Sequence, residues 1–361
     1  MDTSRQYQSM RFQNLRRKNY FEGWYYKQVS ADERTVLSLI PGVSVTKGRK
    51  SYFMQAILAE KTDGNWRQTA DWLDIEAFHA QNEPFALQLN GNRFQRDGIS
   101  VSFQGKRVQA SGTLRFGGWL APPATRWSPT MMGPFAYLPG MECINTVISL
   151  SHRIDGTLEL CGRQVDFTGG KGYIEKDWGS SFPKRYVWLQ SNHFAGDAAL
   201  FFSWADIPVL GMRFPGYVAH LFCEGKHYRF ATYTQGRCEL KTAGRSMEIL
   251  LTNTAGELRI EAEQAAGADL LAPHKGRMIH TIKEGLNGKI SFCLQLRGEE
   301  RLYCDQTETA GVELVMEKGT LANQRCEPAA VCNPNDRPKT LDRKIPGHMI
   351  RAVWGCPDEG F

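Results

Sequence analysis

Along most of this chain apolar and polar residues alternate in short runs that end at Gly, Asn or Asp. TVLSLIPGVSV, SYFMQAILAE, FALQLNGNRF, GISVSFQG and RVQASGTLRF carry the pattern in the first half, and YVAHLFCEG, HYRFATYT, SMEILLTN, GELRIEAEQA, KISFCLQL and GVELVME carry it after Gly216. A period of two is that of a half-buried strand, and the punctuation is that of tight turns. The pattern predicts antiparallel meanders and no long helix. DWLDIEAF, residues 71–78, fits a short helix or another strand. CINTVISLSHRIDGTLELCGRQVDF reads as a hairpin turning at Asp155-Gly156, with a second tight turn at Gly162.

Two stretches break the simple alternation. In NYFEGWYYKQVS, Tyr20, Glu22, Trp24 and Tyr26 fall on one face and Phe21, Tyr25 and Val29 on the other. A strand apolar on both faces belongs inside a barrel or sandwich, where Glu22 needs a partner or must stay neutral. A salt bridge to Arg17 or Lys27 at the strand entry is the plain alternative. Residues 117–142, GGWLAPPATRWSPTMMGPFAYLPGME, hold five prolines and cannot form a central strand. So many aromatics and methionines suit a lid over an apolar ligand, or an Ω-loop packed on its own side chains. Glu142 ends that loop, within reach of a pocket beneath it. In ALFFSWADIPV, Asp206 follows an aromatic row and reads most simply as a turn acid ahead of Pro208.

With 361 residues, 42% hydrophobic and 11% aromatic, the chain has material for two domains or one large all-β unit. The net charge of +6 is spread among 38 acids, so no basic stripe indicates nucleic-acid binding. Nine cysteines without a CxxC pair argue against a disulfide framework or a zinc site. Eight histidines show neither HxH nor HExxH spacing, and no metal or cofactor is expected. The first twenty residues lack an apolar signal core, and no apolar run reaches membrane-spanning length. A soluble, cytoplasmic protein is expected. The cluster Leu15–Lys18 is a solvated arm, or a weak peripheral contact with an anionic membrane. GGKGY lacks the rest of a phosphate loop, and GSSFP around Ser180 and Ser181 lacks a nucleophile elbow or a neighbouring base.

The stretch from Gly169 to Phe194, GGKGYIEKDWGSSFPKRYVWLQSNHF, gathers acids, cations and aromatics between glycine-marked turns. As a strand its start directs Tyr173, Glu175 and Asp177 to one face and Ile174, Lys176 and Trp178 to the other. Carboxylates two residues apart, roughly 6.6 Å along a strand, suppress each other's ionisation in a dry pocket, so that one holds its proton near neutrality. That makes a candidate general acid. Pairing of both acids with Lys176, Lys184 or Arg185 on a solvated edge fits the same residues, with Trp178 plugging a core.

YFEGWYYK from Tyr20, MGPFAYLPGMEC from Met132, and GGKGYIEKDWGSSFP followed by WLQSNHF together resemble the tocopherol cyclase family. The resemblance implies an all-β fold of two lipocalin-like antiparallel β-barrel or sandwich domains with a long Pro/Gly-rich loop, and a ligand cavity at or near their junction. Residues 1–18 form the arm, 19–168 the first domain, 169–322 the second and 323–361 a loosely ordered tail. It also implies a cofactor-free cyclisation, in which a prenylated hydroquinone is protonated on its double bond and the phenol oxygen closes a chromanol ring. On that reading Glu175 or Asp177 is the acid, with Glu22 and Glu142 next. The other carboxylate, or Tyr173, accepts the phenolic proton. Trp24, Tyr26, Phe135, Tyr137, Trp178, Trp188, Asn192 and Trp204 are the expected substrate contacts. The competing reading is a carrier that holds an isoprenoid or quinone lipid unchanged.

Overall fold

A computed structural model describes residues 10–316, apart from Trp127, Pro139 and residues 210–211, together with residues 324–326. Twelve strands build a first antiparallel sheet: β1 Tyr20–Val29, β2 Thr35–Thr46, β3 Arg49–Thr62, β4 Asn65–Ile75, β5 Phe78–Asn82, β6 Phe85–Leu89, β7 Asn92–Gln95, β8 Gly98–Gln104, β9 Gln109–Leu120, β10 Cys143–Leu160, β11 Arg163–Asp166 and β12 Lys171–Gly179. The remaining strands are β13 Tyr186–Ser191, β14 Ala199–Val209, β15 Met212–Cys223, β16 Lys226–Ala231, β17 Arg237–Ala243, β18 Ser246–Thr252, β19 Gly256–Glu263, β20 Ala268–His274, β21 Arg277–Leu296, β22 Leu302–Val315 and β23 Gln324–Cys326. They form the second antiparallel sheet, with β20 paired to β21 at its side. Both lipocalin-like units are therefore present as expected. Neither ladder closes among the described residues: the first ends at β4 and β5, the second at β16 and β23.

Each sheet curls around its own apolar core. In the first, Trp24, Tyr26, Leu37, Leu39, Phe94, Phe103 and Ile174 pack together; in the second, Val187, Leu189, Phe202, Trp204, Leu221 and Ile249 do. A third core of Tyr25, Val147, Tyr173, Tyr186, Trp188 and Phe201 lies where the opposite faces of the two sheets meet. Strand alternation explains the division, because Trp24 and Tyr25 leave β1 on opposite sides, as do Leu189 and Trp188 on β13.

The structure departs from the sequence-based expectations at several points. β10 runs without a turn through Asp155 and Gly156, its ladder to β9 unbroken there. Gly156 takes φ +129°, and a Cβ in its place would lie 2.5 Å from the Thr113 carbonyl oxygen, so this glycine serves a close backbone approach. The turn at Gly162 is present, between β10 and β11. DWLDIEAF is strand for most of its length, not helix. β12 inserts between β1 and β10, so the chain passes to the second sheet after Gly179 instead of at residue 169. Its sequence alone names no ladder partner.

The arm is docked where it is described. Trp24 Nε1 donates to the Met10 carbonyl at 2.8 Å, and Gln13 N and Asn14 N donate to Glu22 at 2.7 and 3.2 Å. Residues 324–326 pair with β17; the rest of the expected tail lies outside the described residues. Among the described residues one disulfide, Cys293–Cys304, joins directly opposed residues of β21 and β22.

Candidate active site

The second, outward face of each sheet, not either filled interior, walls a cavity of about 180 Å³. From the first sheet come Phe21, Gly23, Tyr25, Asn145, Glu175 and Asp177, and from the second Tyr186, Trp188, Ala205, Glu284 and Glu313. Met132, Phe135, Met141 and Glu142 of the proline-rich loop complete it, as a lid would. A larger cleft of about 1130 Å³ lies elsewhere, lined by residues such as Asp32, Arg34, Glu248, Glu261 and Lys289. Those acids and cations are exposed, so none of them is held away from water as the carboxyls of the first cavity are.

The site starts from ladder register. β12 lies between β1 and β10 so that Glu175 is flanked by Tyr25 and Val147, and Asp177 by Gly23 and Asn145. Gly23 has no side chain, and the space above it gives Asp177 its access to the cavity. Tyr173 O–H donates to Glu175 Oε2, Trp188 Nε1 donates to the same oxygen at 3.0 Å, and Asn145 Nδ2 donates to Glu175 Oε1 at 3.3 Å and Asp177 Oδ1 at 3.0 Å. The two carboxyls also share a hydrogen bond. Burial, then the negative charge of Asp177, holds Glu175 well above the usual carboxylate range. Burial lifts Asp177 to about 6.

The other wall repeats the arrangement. Glu284 of β21 accepts from Tyr25 O–H, which itself accepts from Ser38 Oγ at 3.0 Å. Glu313 of β22 accepts from Tyr186 O–H at 2.7 Å. Glu284 and Glu313 hydrogen-bond each other. Burial raises Glu284 to about 7, and burial with the charge of Glu284 raises Glu313 well above its usual range. The β21–β22 ladder slips between Gly285 and Gly288, a bulge of the kind that re-aims neighbouring side chains. Trp188 joins the walls: it faces Glu313 across the β13–β22 ladder and gives its N–H to Glu175.

The expected site residues divide accordingly. Glu175, Asp177, Trp188 and Phe135 line the cavity. Glu142 lies at its rim, 3.5 Å from Arg213. Tyr173 stands behind the wall and holds Glu175. Glu22, Trp24, Tyr26 and Trp178 are turned away, because they alternate onto the opposite face of β1 and β12. There Glu22 pairs with Lys176 at 2.6 Å, not with Arg17 or Lys27. Trp204 fills the core of the second sheet. Tyr137 is 61% exposed. Asn192 clamps the sheets together instead, its Nδ2 donating to the Leu150 and Gly172 carbonyls at 3.1 and 2.9 Å. Asp206, in mid-strand and not at a turn, lines the cavity and pairs with Arg185 at 2.6 Å. Sequence reasoning missed Tyr25, Asn145, Tyr186, Glu284 and Glu313. The one signal for Glu313 was an acid inside the apolar run GVELVM, a pattern that an exposed strand face shows equally.

A carboxyl whose pKa is raised on folding stabilises the fold below its unfolded value, and that contribution is lost as pH rises through the folded value. For Glu284 the window runs from about 4.5 to about 7. Burial pushes the His152 imidazole down to about 3, which tilts stability the opposite way in acid, so the informative quantity is a difference. The unfolding free energy of the wild type relative to Glu284→Gln is expected to fall by about 1.4 kcal/mol per pH unit across that window. Urea denaturation at intervals through it provides the check, and a flat difference would refute the raised carboxyl.

The family described as tocopherol cyclase-like matches residues 118–315. The probable chloroplastic tocopherol cyclase of Oryza sativa subsp. japonica is 39% identical over 41 residues. That stretch is 11% of this chain and spans only 9% of the rice protein. The solved structure of CghA superposes with a TM-score of 0.51 at 11% identity, covering 82% of this chain and 89% of that one, which establishes a shared fold. Kievitone hydratase from Nectria haematococca gives a TM-score of 0.44 at 10% identity over 81% of this chain and 88% of that one. With the family match running from the end of β9 through the loop, both carboxyl pairs and the last residue of β22, this chain belongs to the tocopherol cyclase-like family.

Proposed function

We propose that this protein is an enzyme that closes an oxygen ring on a prenylated hydroquinone or a similar isoprenoid. The supporting observation is Glu175: a carboxyl in an aromatic cavity, kept protonated by burial and by Asp177 beside it. Its proton goes to the double bond, a tertiary cation forms, and the phenol oxygen bonds to it. One proton is gained at carbon and one lost at oxygen, so the reaction is an isomerisation that balances with the substrate alone. A positioned acid contributes about 10²–10⁴-fold. The faces of Tyr25, Tyr186 and Trp188, which line the cavity, each stabilise a cation by roughly 0.5–2 kcal/mol where water is excluded. Three hydrogen-bond donors to Glu175 then stabilise the carboxylate left behind.

At about 180 Å³ the cavity is smaller than the roughly 300–1,000 Å³ of drug-sized sites. On this reading it takes the aromatic head and the reacting double bond, and the rest of the isoprenoid chain lies outside it. Incubation with a prenylated hydroquinone, followed by chromatography and mass spectrometry, is expected to give a product of unchanged mass and altered retention. Tight binding with the ligand recovered unaltered would instead identify a carrier.

A further inference from the structure

We propose that Glu284 and Glu313 form the general base of the ring closure, taking the phenolic proton while Glu175 delivers one to the double bond. This rests on the cyclase reading above. The reason is positional. Glu175 and Asp177 leave one face of one strand, so a substrate lying over β12 meets both from the same side. When a proton and an oxygen add to opposite faces of a double bond, the group that takes the oxygen's proton must come from another wall. Glu284 and Glu313 supply that wall from β21 and β22. Both open onto the same cavity.

The alternatives on the first wall are already engaged. Tyr173 spends its O–H on Glu175, and burial holds that phenol well above its ordinary value, so no phenolate is at hand to act as a base. Asp177 accepts from Asn145 and shares a hydrogen bond with Glu175. On the second wall, a pair of carboxyls linked by one hydrogen bond has a vacant proton site whenever it carries a single proton. Glu284, raised to about 7, suits a base that works near neutrality.

In the step itself, the π electrons of the double bond form a C–H bond with the Glu175 proton. An oxygen lone pair forms the C–O bond, and the phenolic O–H breaks with its proton passing to the Glu284–Glu313 pair. Glu175 is then short of one proton and the pair holds one more. Exchange with solvent when the product leaves resets both.

Turnover of a prenylated hydroquinone by Glu284→Gln and Glu313→Gln tests the assignment, with folding checked by circular dichroism. Each variant is expected to lose about 10²–10⁴-fold in kcat. A ring-chlorinated substrate, whose phenol is more acidic, is expected to recover at least about tenfold of that loss relative to wild type, because less is asked of the base. The same substrate is expected not to rescue Glu175→Gln, which lacks a proton for carbon. In D2O, the deuterium of the wild-type product is expected trans to the new C–O bond. Unchanged kcat in both variants, an unrescued loss, or cis deuterium overturns the assignment and leaves the cyclase reading standing. Wild-type protein that returns its substrate unaltered overturns both.

Tyr186→Phe tests the same point if a glutamine variant does not fold. The groups facing Glu313 are Glu284, Asp177, Glu175, Tyr25, Tyr186 and, beyond Glu284, Lys27. Of these, Tyr186 lowers the Glu313 pKa through its hydrogen bond. Removing that hydroxyl is expected to move the acid limb of the kcat/KM profile to higher pH, and an unmoved limb overturns the proposal.

Discussion

Glu175→Gln is expected to lower kcat by about 10²–10⁴-fold while leaving ligand affinity within about tenfold, roughly 1.4 kcal/mol. The amide keeps the size of the side chain and accepts from Tyr173 and Trp188 as the acid does, so the cavity keeps its shape. What disappears is a proton acidic enough to reach carbon. The substitution leaves Asp177 as the only acid on β12 facing the cavity. Its proton is the more readily lost of the two, since it rises only to about 6, and it cannot restore the rate at neutral pH. Stopped-time product analysis gives kcat, and quenching of tryptophan fluorescence by the ligand gives the affinity. Wild-type turnover in this variant would remove Glu175 from the mechanism.

Lys176→Met is expected to cost about 3–5 kcal/mol of stability. Lys176 and Glu22 are both fully buried, 2.6 Å apart. The ammonium lies 4.9 Å from the ring of Trp24 and 4.8 Å from that of Trp178, and it donates to the Arg11 carbonyl. Glu22 accepts from Gln13 N, Asn14 N and Tyr20 O–H. The pair therefore pins the arm across the end of the first sheet, and removing the cation leaves a carboxylate in a dry core. Glu22→Gln combined with Lys176→Met is expected to recover much of the loss, because no uncompensated charge remains. Urea denaturation of the single and double variants measures the coupling. A single-variant loss below about 1 kcal/mol, the range of surface pairs, would refute the buried pair.

These two residues show how far the sequence can be read. Glu175 and Lys176 are neighbours, and alternation alone sends them to opposite faces of β12. It also groups Glu22 with Trp24 and Tyr26, and Tyr25 with Phe21. It does not say which face meets the ligand. Aromatic density pointed to Trp24, Trp178 and Trp204, yet these rings fill sheet interiors, since large apolar rings are drawn equally to a core and to a cavity wall.

The sequence by itself determined an all-β chain, the faces of β1 and β12, the exclusion of residues 117–142 from any central strand and one candidate carboxyl pair. These follow from local rules, a period of two and the refusal of proline to join a ladder, which act within a few residues. The tertiary structure alone decided that the cavity lies between the sheets, that Gly23 opens it beside Asp177, and that Glu284 and Glu313 face it. Those positions depend on ladder registers that join residues more than a hundred apart in the chain and on a bulge between β21 and β22, and nothing local in the sequence encodes such pairings.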